Sequence, residues 1–246
     1  VGRVIRCGRY DIYLPHEKKY DGDALILFPG ALLDHTAYAQ ISIKMADRGI
    51  AVIVISMEPT RLARVNLGAD RGRIERIMKE TEKILDRKVE RWTIGGHSLG
   101  SFSAMRLVAT TDLFSKLVMW ASVNGPFTRS DLRHSDTPAL VVQGSCDDLT
   151  KMNEEELEEF KSSFPRASRF EMIEGGGHSW FASVSLGDPN SIFADRAAIS
   201  MQEQQDSVAA ITADFIVQKE NNRINERPKM IGRNRKAILG WLKRIN

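Results

Sequence analysis

At 246 residues the chain has room for one large domain and is short for two, and 42% hydrophobic against 27% charged residues is a globular composition. It holds no apolar run of the ~18 residues that a membrane-crossing helix needs, and no charged-then-apolar leader ending in small residues. The net charge of +3 is uneven: residues 219–246 hold nine Lys/Arg and two Glu, a local +7, so residues 1–218 sum to −4 and no nucleic-acid partner is expected. The start at Val1 leaves room for an upstream targeting or anchoring segment. Cys7 and Cys146 form neither a disulfide framework nor a metal-ligand spacing, which fits the cytoplasm or an organelle interior.

In chain order, YDIYLP near the start is expected to add an antiparallel edge strand. Short apolar runs follow at 24–28, 50–56, 91–96, 116–121, 138–144 and 168–174, four of them near-continuous. Strands buried on both faces read this way, so the pattern predicts an α/β fold with a mainly parallel sheet covered by helices on each side. Helices are expected at 35–48, 70–87, 98–110, 153–163 and 194–217, the last with Val208, Ile211, Phe215 and Ile216 on one apolar face. Residues 122–137 are too few for a helical cap between the flanking strands, so an open site is expected. Composition shifts at 218, the expected boundary between domain and basic tail. In that tail Ile238, Trp241, Leu242 and Ile245 form an apolar stripe flanked by Arg235, Lys236, Lys243 and Arg244. Such a helix fits an anionic membrane surface or an acidic partner, or folds back on the domain.

Ligands of open α/β sheets bind beyond the carboxyl ends of the strands, and GGHSLG lies there, between the strand at 91–96 and the helix at 98–110. A serine in a tight strand-to-helix turn is lifted clear of the sheet, provided glycines two residues before and after let the backbone pass closely. Gly96, Ser98 and Gly100 have that spacing. A serine nucleophile needs a histidine to take its proton and a carboxylate to orient that histidine. QGSCDDLT offers Asp147, with Asp148 as alternate, and EGGGHSWF offers His178, in the order Ser, Asp, His. Of the other histidines, His97 is expected to pack or hydrogen-bond inside the turn, His35 to follow an N-cap at Asp34, and His16 and His134 to be solvated. The helix beginning at the serine offers the Leu99 N–H to a developing oxyanion, and the turn in LFPGALLDHTAY offers that of Ala31, with Leu32 as alternate. Leu32, His97, Trp180 and Phe181 are candidate pocket residues, and Trp180, Phe181 and Phe193 bracket a loop that could act as a partial lid.

With FPGALLDHTAY, GGHSLG, VVQGSCDD and EGGGHSWF followed by ISMQEQQ, the chain resembles the α/β-hydrolase superfamily, closest to the fold-5 branch related to dienelactone hydrolases. The resemblance covers roughly residues 24–217 and implies a Ser98–Asp147–His178 triad, no metal and no organic cofactor. Many relatives carry a second small residue after the elbow and a Gln-Phe pair after the histidine. Here Ser101 and Ser179-Trp180-Phe181 stand instead, so substrate preference does not carry over. The expected activity is hydrolysis of a small-molecule carboxylic ester through an acyl-enzyme. Thioester, lactone or peptide hydrolysis, acyl transfer, and a non-catalytic binding role are the alternatives.

Overall fold

The computed structural model describes residues 2–61, 67–122, 131–184 and 196–218, and for 67–70 the backbone alone. Eight strands among them form one sheet: β1 (Val4–Arg6), β2 (Tyr10–Tyr13), β3 (Asp23–Phe28), β4 (Ala51–Ile55), β5 (Arg91–His97), β6 (Lys116–Trp120), β7 (Ala139–Gly144) and β8 (Arg169–Ile173). Their order is β1-β2-β4-β3-β5-β6-β7-β8. The β1–β2 and β2–β4 pairs are antiparallel, and the rest are parallel. YDIY is therefore not the edge: Val4–Arg6 pairs outside it, a strand too short and too exposed for its pattern to register.

Alternation within the apolar runs supplies two cores. Ile26, Ile53, Ile94, Met119 and Val141 point to one face, where α2 (Leu67–Leu85), α3 (Leu99–Thr110) and α4 (Glu154–Ser162) add Ile74, Ile77, Met105, Leu107 and Phe160. Leu25, Leu27, Val52, Val54, Trp120 and Val142 point to the other, under α1 (Ala39–Ala46) and α5 (Met201–Val217) with Ile41, Met45, Val208, Phe215 and Ile216. Both faces are buried, which explains the lack of polar alternation in the central strands.

Two helices differ from expectation. The segment expected as one helix at 35–48 opens as a 3-10 turn, His35–Tyr38, because the Asp34 carboxylate caps the Thr36 N–H at 2.9 Å before α1 begins. The helix expected from 194 starts at Met201, where Ser200 and Glu203 form a capping box; residues 194 and 195 lie outside the described residues. Helix α5 ends at Val217, and the tail with its amphipathic stripe lies outside the described residues, as does Phe193. No helix among the described residues is long and apolar enough to cross a membrane. Only residues 121–138 separate β6 from β7, and the described residues hold no large cap domain.

From β3 the chain crosses to β4 on one side and then returns past β3 to β5 on the other. The helices following β3 and β5 consequently leave on opposite faces, which opens a crevice at the carboxyl ends of these strands, where Phe28 pairs with Gly96.

Candidate active site

Ser98 sits at that crevice with φ 50° and ψ −120°, a conformation disfavoured for any residue bearing a Cβ. The surrounding backbone enforces it. A Cβ at Gly96 would stand 2.2 Å from the carbonyl carbon of Gly100, and one at Gly100 would stand 2.3 Å from the Phe28 oxygen. Only glycine at both places lets α3 start this close to the sheet, and the Ser101 hydroxyl adds a 2.8 Å bond back to the Gly96 carbonyl. The half-buried Ser98 side chain stands clear, with its backbone N–H donating to Trp120 O at 2.8 Å.

The other two groups arrive on loops after β7 and β8. His178 Nε2 lies 3.0 Å from Ser98 Oγ, and its Nδ1 lies 2.8 Å from Asp147 Oδ2. Asp147 is buried, its side chain fully so, and its carboxylate takes four donors. Oδ2 accepts the His178 N–H and, at 2.6 Å, the Thr150 hydroxyl; Oδ1 accepts the N–H groups of Leu149 at 3.0 Å and Thr150 at 3.2 Å. Burial alone would raise its pKa, but the bond and charge of His178, the Thr150 hydroxyl and the Leu149 N–H together hold it below the usual carboxylate range. Asp148 points away, mostly exposed and 3.8 Å from Arg196. Asp147 thus meets the histidine and also accepts the N–H groups of its own turn, while Asp148 faces solvent.

The Ala31 and Leu99 N–H groups have no hydrogen-bond partner among the described residues. Leu32, the alternate donor, is already committed: its N–H donates to Arg61 O at 2.7 Å, and its φ of 63° turns the side chain outward to 55% exposure. Leu32 and the half-buried Trp180 stay at the surface. Two expected pocket residues are corrected. Phe181 is fully buried, stacked between His97 and Trp120 with centroids 5.5 and 6.2 Å away. His97, 1% exposed, has its ring nitrogens bonded to Tyr38 Oη at 2.7 Å and the His178 carbonyl at 3.0 Å, so it stands behind the site rather than in a pocket. Hydrophobicity next to the histidine suggested a lining role, but a 3-10 turn over Ser179–Phe181 carries Phe181 inward.

Sequence reasoning missed three supports. Thr150 holds Asp147, and its signal was an Asp opening an Asx-type turn, in which the side chain accepts the N–H two residues on, here Leu149, with a hydroxyl one residue further. Gln204, fully buried on α5, clamps Gly177 with two 2.8 Å bonds, accepting its N–H and donating to its carbonyl, and so fixes the loop beside His178. Tyr38, fully buried, accepts the Gly30 N–H at 2.8 Å. Nothing in the sequence marks either role, since Tyr38 acts on a residue eight positions away and Gln204 on one 27 positions away.

Residues 24–207 match the profile of the alpha/beta hydrolase family. The chain belongs to that family. No curated protein matches it significantly. Among solved structures this hydrolase fold is similar to an alpha-beta serine hydrolase homologue from Coxiella burnetii (13% identity, 85% of this chain and 95% of that one, TM-score 0.58). It is also similar to a dienelactone hydrolase from Anabaena variabilis (16%, 87% and 94%, 0.58). A third is the thioesterase domain from a curacin biosynthetic pathway (11%, 88% and 98%, 0.53). At these identities the likeness is one of fold.

Proposed function

We propose that this alpha/beta hydrolase is a serine hydrolase of carboxylic esters, with Ser98 as nucleophile, His178 as general base and acid, and Asp147 as its orienting carboxylate. One observation carries the reading: Ser98 Oγ, the two His178 ring nitrogens and Asp147 Oδ2 form one continuous line, with gaps of 3.0 and 2.8 Å. A binding protein would have no use for a strained serine aimed at an imidazole.

In the first half-reaction Ser98 Oγ attacks the ester carbonyl carbon while His178 Nε2 takes the hydroxyl proton. The carbonyl oxygen becomes an oxyanion, held by the Ala31 and Leu99 N–H groups, the latter at the positive end of α3. The intermediate collapses, the C–O bond to the alcohol breaks, and His178 returns the proton to the leaving oxygen. Water then attacks the acyl-serine, His178 takes its proton, and Ser98 leaves with that proton, releasing the acid. Asp147 keeps the Nδ1–H tautomer throughout, because an ionised acceptor already holding three other donors has one place left for an N–H.

The dienelactone hydrolase and thioesterase neighbours support acyl-oxygen or acyl-sulfur chemistry on this framework. The test is hydrolysis of fluorogenic acyl esters of graded chain length, run beside thioesters and lactones, with fluorophosphonate labelling. Ser98→Ala is expected to remove both turnover and label, a loss on the order of 10⁶-fold in kcat. Labelling that persists in this variant overturns the assignment, and faster turnover of thioesters or lactones moves the substrate class while keeping the triad.

A further inference from the structure

A second line of hydrogen bonds runs behind the triad and ends on both halves of its machinery. The Gly30 N–H donates to Tyr38 Oη at 2.8 Å, Tyr38 Oη meets His97 Nδ1 at 2.7 Å, and His97 Nε2 meets the backbone carbonyl of His178 at 3.0 Å. Gly30 immediately precedes Ala31, and His178 is the candidate base. We propose that Tyr38 and His97 are positioning residues that set the distance between the Ala31 N–H and the His178 imidazole. The proposal rests on the triad reading above.

The direction of every bond follows from what its ends can do. A carbonyl only accepts, so His97 Nε2 carries a hydrogen. In a neutral imidazole Nδ1 is then the acceptor, and the Tyr38 hydroxyl donates to it while accepting the Gly30 N–H on its oxygen. All donors and acceptors along the line are matched in this one protonation state. Burial, first, and the neighbouring His178, second, lower the pKa of His97 to about 3, and burial raises that of Tyr38, so neither changes state under ordinary conditions. The parts have little freedom to rearrange. Tyr38 is fully buried, and the His97 ring lies against Phe181 at 23° between planes, with Phe181 stacked on Trp120, whose Nε1–H is tied to Thr212 at 3.1 Å.

This line also explains the glycine at position 30. A Cβ there would stand 2.9 Å from His97 Nδ1, so the loop lies against the ring itself. The loop carrying Ala31 is otherwise pinned from outside by the Leu32 N–H to Arg61 O bond. Between an outer pin and an inner line, the Ala31 N–H has a defined direction. The charge that this N–H meets exists only after Ser98 has attacked, so misplacing it weakens the transition state and leaves substrate binding largely intact.

Tyr38→Phe removes one oxygen and keeps the ring. It is expected to lower kcat by roughly 10- to 100-fold with KM changed by less than about threefold, less severe than losing an oxyanion donor outright. A second pair of variants separates positioning from packing. His97→Gln can keep an N–H for the His178 carbonyl, whereas His97→Phe keeps the flat ring against Phe181 and loses the donor. Positioning predicts more activity in the glutamine variant, and packing predicts more in the phenylalanine variant. Histidine ¹⁵N spectra of the full chain give a readout that needs no turnover: His97 is expected as the neutral Nε2–H tautomer, with its Nδ1 signal moving toward that of an unbonded nitrogen in Tyr38→Phe. A Tyr38→Phe kcat within twofold of the parent, a phenylalanine variant matching the glutamine one, or an Nδ1–H tautomer overturns the proposal. If any of these occurs while Ser98→Ala still abolishes turnover, only the positioning role falls; turnover that survives Ser98→Ala removes both.

Discussion

At the N-terminal ends of β3 and β5, Asp23 is fully buried and takes two donors from Arg91, Nε at 2.7 Å and Nη2 at 2.6 Å. At the carboxyl end of β7, Asp147 is almost as deeply buried and takes its donors from an imidazole, a hydroxyl and two backbone N–H groups. Burial pushes the Asp23 carboxyl up against the opposing bonds of Arg91, while four donors overcome burial at Asp147 and hold its carboxyl down. The partners decide what each can do. A guanidinium never gives up its proton at working pH, so Asp23–Arg91 is a fixed clamp across paired strand residues. In the mechanism proposed above, the imidazole facing Asp147 takes and returns the Ser98 proton without leaving its acceptor, so the same burial serves proton transfer. Burial alone does not set what a carboxylate does; the partner it is buried against does.

The largest expected break in this contrast is Asp147→Asn. The amide can still accept from Leu149 and Thr150 but favours the wrong tautomer of His178, and kcat is expected to fall by about 10³- to 10⁴-fold. Asp148→Asn, one residue away and exposed, is expected to change kcat by less than about twofold. Steady-state kinetics of the pair checks this, and a reversed ranking transfers the orienting role.

The opposite end should break in the opposite currency. Asp23→Ala leaves a guanidinium that is 24% exposed without its main acceptor, and a loss of about 3 kcal/mol in unfolding free energy is expected, at the low end for a buried pair because Arg91 reaches water. The kcat of the folded protein should stay within a few-fold. Urea unfolding beside kinetics tests it, and a stable protein with collapsed turnover would contradict the division between the two ends.

How much of this was legible in the sequence depends on how far each interaction reaches. Near-continuous apolar runs such as Ala51–Ile55 marked the parallel sheet, since strands buried on both faces leave no place for polar alternation. Gly96-His97-Ser98-Leu99-Gly100 marked the elbow because its steric demand is local: each glycine avoids backbone within a few residues or on the adjoining strand. Tyr38 and Gln204 fall inside the FPGALLDHTAY and ISMQEQQ segments, but their roles left no trace there, because they are made only when the fold brings them to residues 59 and 27 positions away. Phe181 was misread for a related reason: an aromatic residue near a catalytic loop looks like pocket lining unless its turn is known.

A finer cut within the Asp147 cluster is Thr150→Val, which keeps shape and removes the 2.6 Å hydroxyl bond. One charge-assisted hydrogen bond of about 1.5 kcal/mol corresponds to roughly a tenfold fall in kcat, with Asp147 retained by its two backbone donors. Thr150→Ser should recover most of it. Equal loss in both variants would assign the residue to packing.

The smallest effect concerns the pH dependence of stability, and it again separates the two ends, since Arg91 has nothing to titrate and His97 does. The folded-state pKa of His97 is lowered to about 3, against about 6.5 in an unfolded chain. For a histidine kept neutral by folding, the unfolded state binds the extra proton, so this contribution is fully present above about pH 6.5 and is lost as pH falls from there toward 3. From this one group, about 1 kcal/mol should disappear between pH 6.5 and 5.5. Asp147, whose pKa is depressed, acts in a separate window, losing its contribution only below the unfolded carboxylate value near 3.9. His97→Gln removes the first window and leaves the second. Unfolding free energies measured at pH 7, 6 and 5 should therefore fall less steeply in the variant than in the parent, by on the order of one proton's slope, and parallel curves would mean that His97 is already able to charge inside the folded protein.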